Sequence, residues 1–538
     1  MPDSPFSLEK RLFTPAIKTE DAVPLIFAFP NEYSVGITSL GYQIVWAMLA
    51  ERLDIAVSRL FTDVSEQLPT QPELVGFSLS WELDYVNVLN LLEQHQIPIR
   101  ASKREEVHPL VFGGGPVLTA NPEPFAAFFD VILLGDGETL LHSFLDTYQQ
   151  VRGLDRRSQL KALAQVPGVY IPEFYAVTYQ SPDGPIDAVV PVSADVPAIV
   201  KKQTYRGNVL SASTVVTEKA AWENIFMVEV VRSCPEMCRF CLASYLTLPF
   251  RAASIDASLI PAIEQGLQVT RRLGLLGASI TQHPEFETLL DYINQAKYDD
   301  VRLSMSSVRT NTVNEKLAKT LVNHGSKSVT IAIESGSQRV RNIINKKLDT
   351  AEIEAAAQQA KAGGLKSLKL YGMAGVPGET EEDLRQTASL LKALKRQVPG
   401  LKLTLGCSTF VPKSHTPFQW YGVTSQAKKR LQFLQKHLRS DGIDFRPESY
   451  SWSVIQALIS RGDRRLADVL ELTRGYGDTL GSYRRAFKTL KGKLPPLEFY
   501  VHQQWPIDQT LPWDHIAGPL PKDTLAKHLL DAQQYMTN

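Results

Sequence analysis

Short apolar runs alternate with amphipathic stretches along the first part of the chain. VPLIFAFP (Val23 to Pro30) predicts a strand, GYQIVWAMLAERL (Gly41 to Leu53) a helix, and DIAVSRLF (Asp54 to Phe61) a second strand. ELVGFSLS, PLVFGGGP and FDVILLGDGE predict three more strands, two of which end in glycine-rich turns. This order is typical of an α/β, doubly wound Rossmann-like sheet, whose ligand lies at the carboxyl ends of the strands.

A second series of strand–helix units follows a segment rich in Pro and Val, which we interpret as an extended linker or small β element. The predicted strands are FMVEVV (Phe226 to Val231), LLGASIT, RLSMSSVR, SVTIAIE, SLKLYGMAG and LKLTLGCSTF. Asp349 and Glu352 form a capping box at the start of one intervening helix, and Gly363 closes it. About six such units predict a partial (β/α)6 TIM-like barrel.

The pattern becomes irregular after Trp420 and indicates a small C-terminal α/β extension. We therefore predict three domains: a Rossmann-like domain with its linker at 1–195, the barrel at 196–415 and the extension at 416–538. The extension contributes candidates for a cap over the barrel mouth, namely Trp420, Trp452, Arg461, Arg464 and Arg465. For the run RGDRR we favour the alternative of an ordinary solvated face.

Charge and composition limit the class of protein. Lys plus Arg and Asp plus Glu both number 57, so no overall basic field recruits nucleic acid. No apolar segment approaches the roughly 18 residues that suggest a membrane span, and the start MPDSPFSLEKRLF lacks a secretory signal. We expect a cytoplasmic protein without a membrane span and with no strong nucleic-acid signal.

Three of the four cysteines lie close together. Cys234, Cys238 and Cys241 form C-x3-C-x2-C directly after the strand FMVEVV. Crowded thiolates select zinc or an iron–sulfur cluster, and a structural zinc site needs four protein ligands. No fourth Cys or His lies within a few residues, so we favour a cluster. The alternatives are zinc completed by a distant histidine or by Cys407, and buried cysteines without a ligand role; Cys407 itself suits a small buried thiol.

The string CPEMCRFC resembles the C-x3-C-x-aromatic-C signature of radical S-adenosylmethionine (radical SAM) enzymes. The resemblance implies that the three thiolates hold a [4Fe-4S] cluster and that S-adenosyl-L-methionine (SAM) binds its open iron. It also implies reductive cleavage of SAM to a 5′-deoxyadenosyl radical, an electron donor such as flavodoxin or ferredoxin, and a small-molecule or biosynthetic-intermediate substrate. By resemblance Phe240 lies beside the adenine; a core aromatic is the alternative.

Other segments fit the same family. Glu334 ends the strand SVTIAIE and, by alternation, points into the barrel mouth, where the family uses such an acid on the SAM ribose. Arg309 ends RLSMSSVR and is expected to pair with the SAM carboxylate. GMAGVPGET resembles a family segment whose backbone, held open by Gly375 and Pro377, meets the adenine. The alternatives are rim ion pairs for the two charged residues and a plain turn for the glycine segment.

The N-terminal part is similar to the cobalamin-binding-type domain of a large radical SAM subfamily. NEYSVGITSLGYQIVWAMLAE, VFGGGPVLTANPEP and ILLGDGET carry this resemblance. Domains that bind cobalt through a histidine contain D-x-H-x-x-G, and that string is absent from this sequence. Cobalamin bound without a histidine ligand and a sheet that holds substrate or a partner instead are both open. The glycine-rich ends Gly113 to Gly115 and Gly135 to Gly137 would let a corrin edge or nucleotide tail approach the backbone.

These features lead to three functional hypotheses. The first is a radical SAM enzyme that methylates a poorly activated carbon through cobalamin; the second keeps the radical chemistry and replaces methylation with oxidation, cyclisation or rearrangement. The third is a non-catalytic iron–sulfur and SAM-binding sensor. Methylthiotransferases are excluded because residues 1–233 contain no cysteine for a second triad. Candidates for the substrate-facing wall of the barrel are Glu229, Gln282, His283, Ser307, Lys369 and Tyr371.

Overall fold

A computed structural model of the chain describes residues 4–536. The N-terminal part consists of strands β1 (Lys10–Arg11), β2 (Val23–Ala28), β3 (Ile55–Leu60), β4 (Leu74–Ser78), β5 (Leu110–Gly114), β6 (Val131–Leu133) and β7 (Val169–Tyr170), and helices α1 (Tyr33–Gly36), α2 (Leu40–Glu51), α3 (Tyr85–Gln94), α4 (Pro116–Ala120), α5 (Gly137–Val151) and α6 (Arg156–Leu163). The sheet has the order β3-β2-β4-β5-β6-β7, parallel except for β7. The predicted doubly wound sheet is confirmed.

A linker with little regular structure connects this sheet to the barrel. Strands β8 (Tyr175–Tyr179) and β9 (Ile186–Pro191) form an antiparallel hairpin, as expected for a small β element. Strands β10 (Val200–Lys201) and β11 (Val215–Val216) follow, and β11 pairs with β1 near the start of the chain. The linker therefore fastens the N-terminal segment to the base of the barrel.

The barrel contains strands β12 (Phe226–Arg232), β13 (Arg251–Ala252), β14 (Arg272–Gly277), β15 (Arg302–Met305), β16 (Ser328–Glu334), β17 (Ser367–Ala374), β18 (Lys402–Thr409) and β19 (Asp444–Pro447), and helices α7 (Leu242–Tyr245), α8 (Ile260–Leu267), α9 (Phe286–Ile293), α10 (Glu315–Asn323), α11 (Gln338–Ile343), α12 (Thr350–Ala362), α13 (Glu381–Gln397) and α14 (Ala427–Arg439). Its two four-stranded sheets meet at a parallel bridge between Val308 and Ile331. All six predicted parallel strands are present, and the capping box of α12 is confirmed.

Two details of the barrel differ from the prediction. The strand expected in LLGASIT begins earlier, at Arg272, and ends at Gly277, whose φ of 154° turns the chain out of the sheet. Strand β19 adds a further parallel strand beside β18 and lies beyond residue 415, where we placed the end of the barrel. The helical pattern of α14 and the short β19 continue the β/α alternation that we interpreted as irregular.

The C-terminal part is mostly helical. It consists of helices α15 (Tyr450–Arg461), α16 (Leu466–Tyr476), α17 (Leu480–Thr489), α18 (Leu497–Val501) and α19 (Lys522–Gln533), and of strand β20 (Ile516–Ala517), which pairs with β10. Its buried side chains join the hydrophobic core of the N-terminal sheet, whereas most of the barrel has a core of its own. Among residues 4–536, no helix has the length and apolar character needed to cross a membrane.

Candidate active site

The three clustered cysteines lie in a loop that leaves the carboxyl end of β12. Ser233 and Met237, which directly precede the first two cysteines, have φ values of 73° and 57°, a left-handed conformation that side chains other than glycine rarely adopt. The Cys234 amide donates to the Ala243 carbonyl (3.1 Å), and the Cys241 amide donates to the Cys238 carbonyl (2.9 Å). The loop is thus folded tightly on itself, so that its thiols share one small region.

The loop between α11 and α12 holds the cysteine loop from the other side. The Asn345 side-chain amide donates to the Met237 carbonyl (2.9 Å), and the Arg239 amide donates to the Ile344 carbonyl (3.0 Å). The Arg239 guanidinium also donates to the carbonyls of Asn342 and Ile343, both at 2.8 Å. These backbone contacts fix the position of the cysteines relative to the end of β16.

All three thiols are free, and burial disfavours ionisation of two of them, Cys238 and Cys241. Burial raises the pKa of Cys238 to about 12, and burial also raises the pKa of Cys241. Since thiolate is the form that binds metal, a metal centre must displace these protons. Within residues 4–536, no three His, Cys, Asp or Glu side chains are arranged to hold a single metal ion.

A buried ion pair lies next to these thiols. Lys346 Nζ lies 2.9 Å from Glu334 Oε1, and both side chains are largely buried. Burial lowers the pKa of Lys346, but Glu334 and the charges of Cys238 and Cys241 outweigh burial and raise the pKa above its ordinary value. Glu334 ends β16 with a φ of 61°, at an irregularity in the pairing with β17. The acid predicted for the mouth is therefore beside the thiols, with a lysine that the sequence analysis did not select.

Arg309 lies in the same region, but its side chain is already engaged. One terminal nitrogen lies 2.8 Å from the Glu236 carboxylate of the cysteine loop, and the other donates to the Lys347 carbonyl (2.9 Å). Its Nε donates to the Asn311 side chain (2.8 Å). Glu236 also accepts a hydrogen bond from Gln282, whose Oε1 lies 4.0 Å from the Cys234 sulfur. The rim ion pair that was the alternative for Arg309 is the observed arrangement.

The segment GMAGVPGET forms the end of β17 and the turn before α13. Gly375 has a φ of 82°, and its amide donates to the Glu379 carboxylate (2.7 Å). A Cβ on Gly375 would lie 3.0 Å from the Thr424 side chain and 3.1 Å from Cβ of Ala427, the first residue of helix α14. Pro377 and Phe240 are half-buried, and Phe240 packs against the hydrophobic core. The backbone of Gly375 is therefore closed by its neighbours, and adenine contacts by Phe240, Gly375 and Pro377 stay predictions.

The inner wall of the barrel is polar and open at β17. Leu368 and Leu370 are fully buried on the outer face, whereas Lys369 is exposed and Tyr371 is 51% exposed on the inner face. Both side chains are accessible, and contact with a substrate stays a prediction. His283 differs: its Nε2 lies 2.7 Å from the Ala253 carbonyl, and its Nδ1 accepts from the Glu285 amide (3.0 Å). His283 is thus a satisfied core histidine.

The C-terminal arginines neither cap the mouth nor form a solvated face, so both interpretations of RGDRR were wrong. Arg461 is fully buried over the Trp505 ring, with its guanidinium carbon 3.7 Å from the ring centroid. Arg464 lies 2.8 Å from the buried Glu123 carboxylate. Arg465 binds Asp463 (2.7 Å). A single sequence could not reveal Trp505 and Glu123 as partners of Arg461 and Arg464, because they lie on elements distant along the chain.

Comparisons with known proteins identify the class. The model of the radical SAM superfamily matches residues 228–391, and the model of the N-terminal domain of radical SAM proteins matches residues 43–172. Residues 228–391 therefore form a radical SAM domain, and the chain is an enzyme of the radical SAM class, which uses SAM and a [4Fe-4S] cluster. Cys234, Cys238 and Cys241 stay the predicted ligands of this cluster.

Individual relatives cover most of the chain. An uncharacterised protein of Methanocaldococcus jannaschii is 27% identical over 83% of this chain and 90% of its own length. An uncharacterised methyltransferase of Pyrococcus horikoshii is 23% identical over 66% of this chain and 73% of its own length. The radical SAM methyltransferase TsrM from Kitasatospora setae, solved with cobalamin and a [4Fe-4S] cluster, superposes with a TM-score of 0.50 at 13% identity, over 74% of this chain and 77% of TsrM. This likeness shows a shared fold.

Proposed function

We propose that the chain binds SAM at a [4Fe-4S] cluster held by Cys234, Cys238 and Cys241 and uses it to abstract a hydrogen atom from a small-molecule substrate at the barrel mouth. The observation that carries the proposal is the buried Lys346–Glu334 pair beside two of the three thiols. A [4Fe-4S] cluster held by these cysteines would supply, once reduced, the electron for cleavage of bound SAM into methionine and a 5′-deoxyadenosyl radical. The electron comes from a donor of the flavodoxin or ferredoxin class.

In this proposal, Lys346 and Glu334 bind different parts of SAM. Lys346 offers a cationic ammonium within the thiol cluster and suits the carboxylate of SAM. Glu334 offers carboxylate oxygens that can accept the ribose hydroxyl protons. Arg309, which we expected to bind the carboxylate, supports the site indirectly because it holds Glu236 of the cysteine loop. Lys369 and Tyr371 face the substrate from the exposed inner wall.

The first prediction concerns the cluster and its chemistry. Anaerobic reconstitution should load about four iron and four sulfide ions per chain. Replacement of the three loop cysteines by alanine should abolish both this loading and the formation of 5′-deoxyadenosine from SAM and dithionite. Cys407→Ala is the matched control, because Cys407 is buried in β18 and should leave both unchanged. Stoichiometric zinc without iron after reconstitution would contradict the proposal.

Methyl transfer through cobalamin is the second candidate function, and the shared fold with TsrM favours it. This function requires that the N-terminal sheet hold a corrinoid next to the barrel mouth. The geometry of that sheet bears directly on this requirement.

A further inference from the structure

The N-terminal sheet has a defined place for a ligand, and its loops close that place. Strand β2 lies between β3 and β4, so the direction of winding reverses between β2 and β4. In doubly wound sheets ligands bind at the carboxyl ends of the strands at such a reversal. Here the Asn31 side chain, after β2, donates to Asp84, after β4 (3.1 Å), and the Asn87 side chain donates to the Pro30 carbonyl (2.9 Å). The two loops are therefore bonded directly to each other.

A tyrosine occupies the position where a cobalt-binding histidine would stand. Asn31, Tyr33 and Gly36 have the spacing of D-x-H-x-x-G, with Tyr33 at the place of the histidine. Tyr33 is only 3% exposed, and its hydroxyl donates to the Glu9 carboxylate (2.7 Å). The rings of Phe6 and Phe61 pack against it, with centroids 5.4 and 5.1 Å away. The phenol is thus held inside the protein by the N-terminal segment.

The glycine-rich strand ends are packed against the chain's own backbone. A Cβ on Gly115 would lie 2.5 Å from the Leu79 carbonyl oxygen, and a Cβ on Gly135 would collide with the Gln203 carbonyl oxygen. A Cβ on Gly113 would clash with Leu118 and Phe129. The expectation that the strand ends admit a large ligand does not fit the structure at Gly113, Gly115 and Gly135, because protein atoms occupy the space that these three glycines leave.

Polar side chains of the barrel and the C-terminal part fill the remaining crevice. Lys413 binds Glu82, which also accepts from the Ser460 hydroxyl (3.0 Å). The Asn121 side chain donates to the Ser460 and Gly462 carbonyls at 3.1 and 2.9 Å, and the Ser414 hydroxyl donates to the Ala120 carbonyl (2.6 Å). The cavity left among these groups measures about 10 Å³, whereas sites for drug-sized ligands measure about 300–1,000 Å³.

We propose that the N-terminal domain does not bind cobalamin and that its carboxyl edge instead joins the barrel to the C-terminal helices. The inference rests on the proposed radical SAM function and refines it: hydrogen abstraction acts on the substrate without a corrinoid methyl carrier. The residues that close the crevice come from the N-terminal segment, the linker, the loop after β18 and α15, so its closure involves the whole chain.

The test is retention of corrinoid by folded, cluster-loaded protein. The full chain is expressed and reconstituted with hydroxocobalamin, passed through gel filtration, and analysed for cobalt, iron and the visible corrinoid spectrum. TsrM from Kitasatospora setae, treated identically, is the positive control for loading. We expect iron at the level of a full cluster, cobalt below about one tenth per chain, and an unchanged yield of 5′-deoxyadenosine.

The outcomes separate this inference from the proposed function. Cobalt approaching one per chain in cluster-loaded protein overturns the inference and leaves the radical SAM function intact. A chain that takes up no iron and forms no 5′-deoxyadenosine refutes the proposed function, whatever its cobalt content. As a second measurement, addition of hydroxocobalamin should leave the thermal unfolding temperature unchanged; an increase would show specific binding to the folded chain and overturn the inference.

Discussion

Two neighbouring lysines between α11 and α12 differ in the groups they face. Lys346 is buried, with its Nζ 2.9 Å from Glu334 and close to the Cys238 and Cys241 thiols. Lys347 is about half exposed and lies 3.9 Å from Glu236. Both residues follow the short helix α11, and only the fold decides which side chain turns inward. The pair therefore offers a matched comparison of one cation inside the site with one at its edge.

The second prediction compares these lysines. Lys346→Met removes the proposed partner of the SAM carboxylate, and hydrogen bonds to charged groups contribute about 1.5–3 kcal/mol. We expect the Kd for SAM to rise about ten- to a hundredfold, measured by equilibrium dialysis on cluster-loaded protein. Lys347→Met should change the Kd less than about threefold. Equal effects of the two substitutions, with normal iron content in both variants, would show that Lys346 is not the carboxylate partner.

Glu379 has an unusual acid–base environment for a residue in an ion pair. Its carboxylate accepts from the Gly375 amide (2.7 Å) and lies 2.9 Å from Arg430. Burial nevertheless raises the pKa of Glu379 to about 7. A raised carboxyl pKa means that the folded state retains a proton that the unfolded chain releases near its ordinary value. Protonation of Glu379 therefore stabilises the folded state below about pH 4.5, and this stabilisation is lost as the pH rises toward 7.

The third prediction follows from this sign. Glu379→Gln imitates the protonated form at every pH. The unfolding temperature of the variant minus that of the wild type should therefore be higher at pH 7.5 than at pH 5. Thermal unfolding at the two pH values measures the difference. Glu381→Gln, in the exposed first turn of α13, is the control and should show the same offset at both. If the unfolding temperature of Glu379→Gln falls further below that of the wild type at pH 7.5 than at pH 5, the carboxylate stays charged beside Arg430.

At the scale of elements, the loops after β4 and β5 depend on a glycine. Gly115 precedes α4 with φ 115° and ψ 175°, a conformation that is essentially restricted to glycine, and the Leu79 carbonyl approaches its missing side chain. The glycine is therefore required for contact between two loops of the same sheet, which is the opposite of a space held open for a ligand.

The fourth prediction tests that requirement. Gly115→Ala should destabilise the protein by about 1–3 kcal/mol for the backbone conformation alone, with the clash against Leu79 as a further cost. Gly41→Ala, in helix α2 with open space around the added methyl, should instead stabilise by about 0.5–1 kcal/mol. Urea unfolding gives both values. A neutral Gly115→Ala would show that the loops can separate, as a bound ligand would require.

The sequence predicts the strands and helices of this fold more completely than it predicts the contacts between them. Apolar runs bounded by turns located the five parallel strands of the N-terminal sheet and the six expected in the barrel. Barrel strands such as β17 alternate buried and exposed positions because one face packs against helices. The cysteine loop was equally visible, since three thiols at fixed spacing have few other uses. The roles of Glu236, of the Glu123 partner of Arg464, and of Lys346 beside Cys238 were not visible, because each depends on a contact between segments far apart in the chain.

At the scale of the whole molecule, one buried junction joins the first and last parts of the chain. Glu123 is fully buried after α4, and its carboxylate lies 2.8 Å from Arg464 between α15 and α16. Arg464 also donates to the Tyr175 carbonyl (2.7 Å), and His515 lies 3.5 Å from Glu123. Burial opposes ionisation of Glu123, but Arg464 and His515 outweigh it and lower the pKa of the carboxyl group. The junction is thus an ion pair inside a shared core.

The fifth prediction concerns this junction. Arg464→Met leaves the Glu123 carboxylate buried without its main partner, a change that typically costs about 3–5 kcal/mol. Because the pKa of Glu123 is lowered in the folded state, its ionised form stabilises the fold at pH values above the ordinary carboxyl pKa, and this stabilisation is lost as the pH falls. The loss of stability in Arg464→Met should therefore be largest at neutral pH and shrink toward pH 4. Thermal unfolding measured at pH 7.5 and pH 4.5 gives both deficits. Arg484→Met, exposed on α17, is the matched control.

The same experiment reports on cooperativity between the parts of the chain. Because the C-terminal helices share the core of the N-terminal sheet, the deficit of Arg464→Met should appear in one transition that includes both parts. Segment-resolved hydrogen exchange should show increased opening in β5 and β6 as well as in α15 and α16. If exchange increases only in the C-terminal helices, then the N-terminal sheet is stable without them, and the closure of its carboxyl edge is a contact between independent domains.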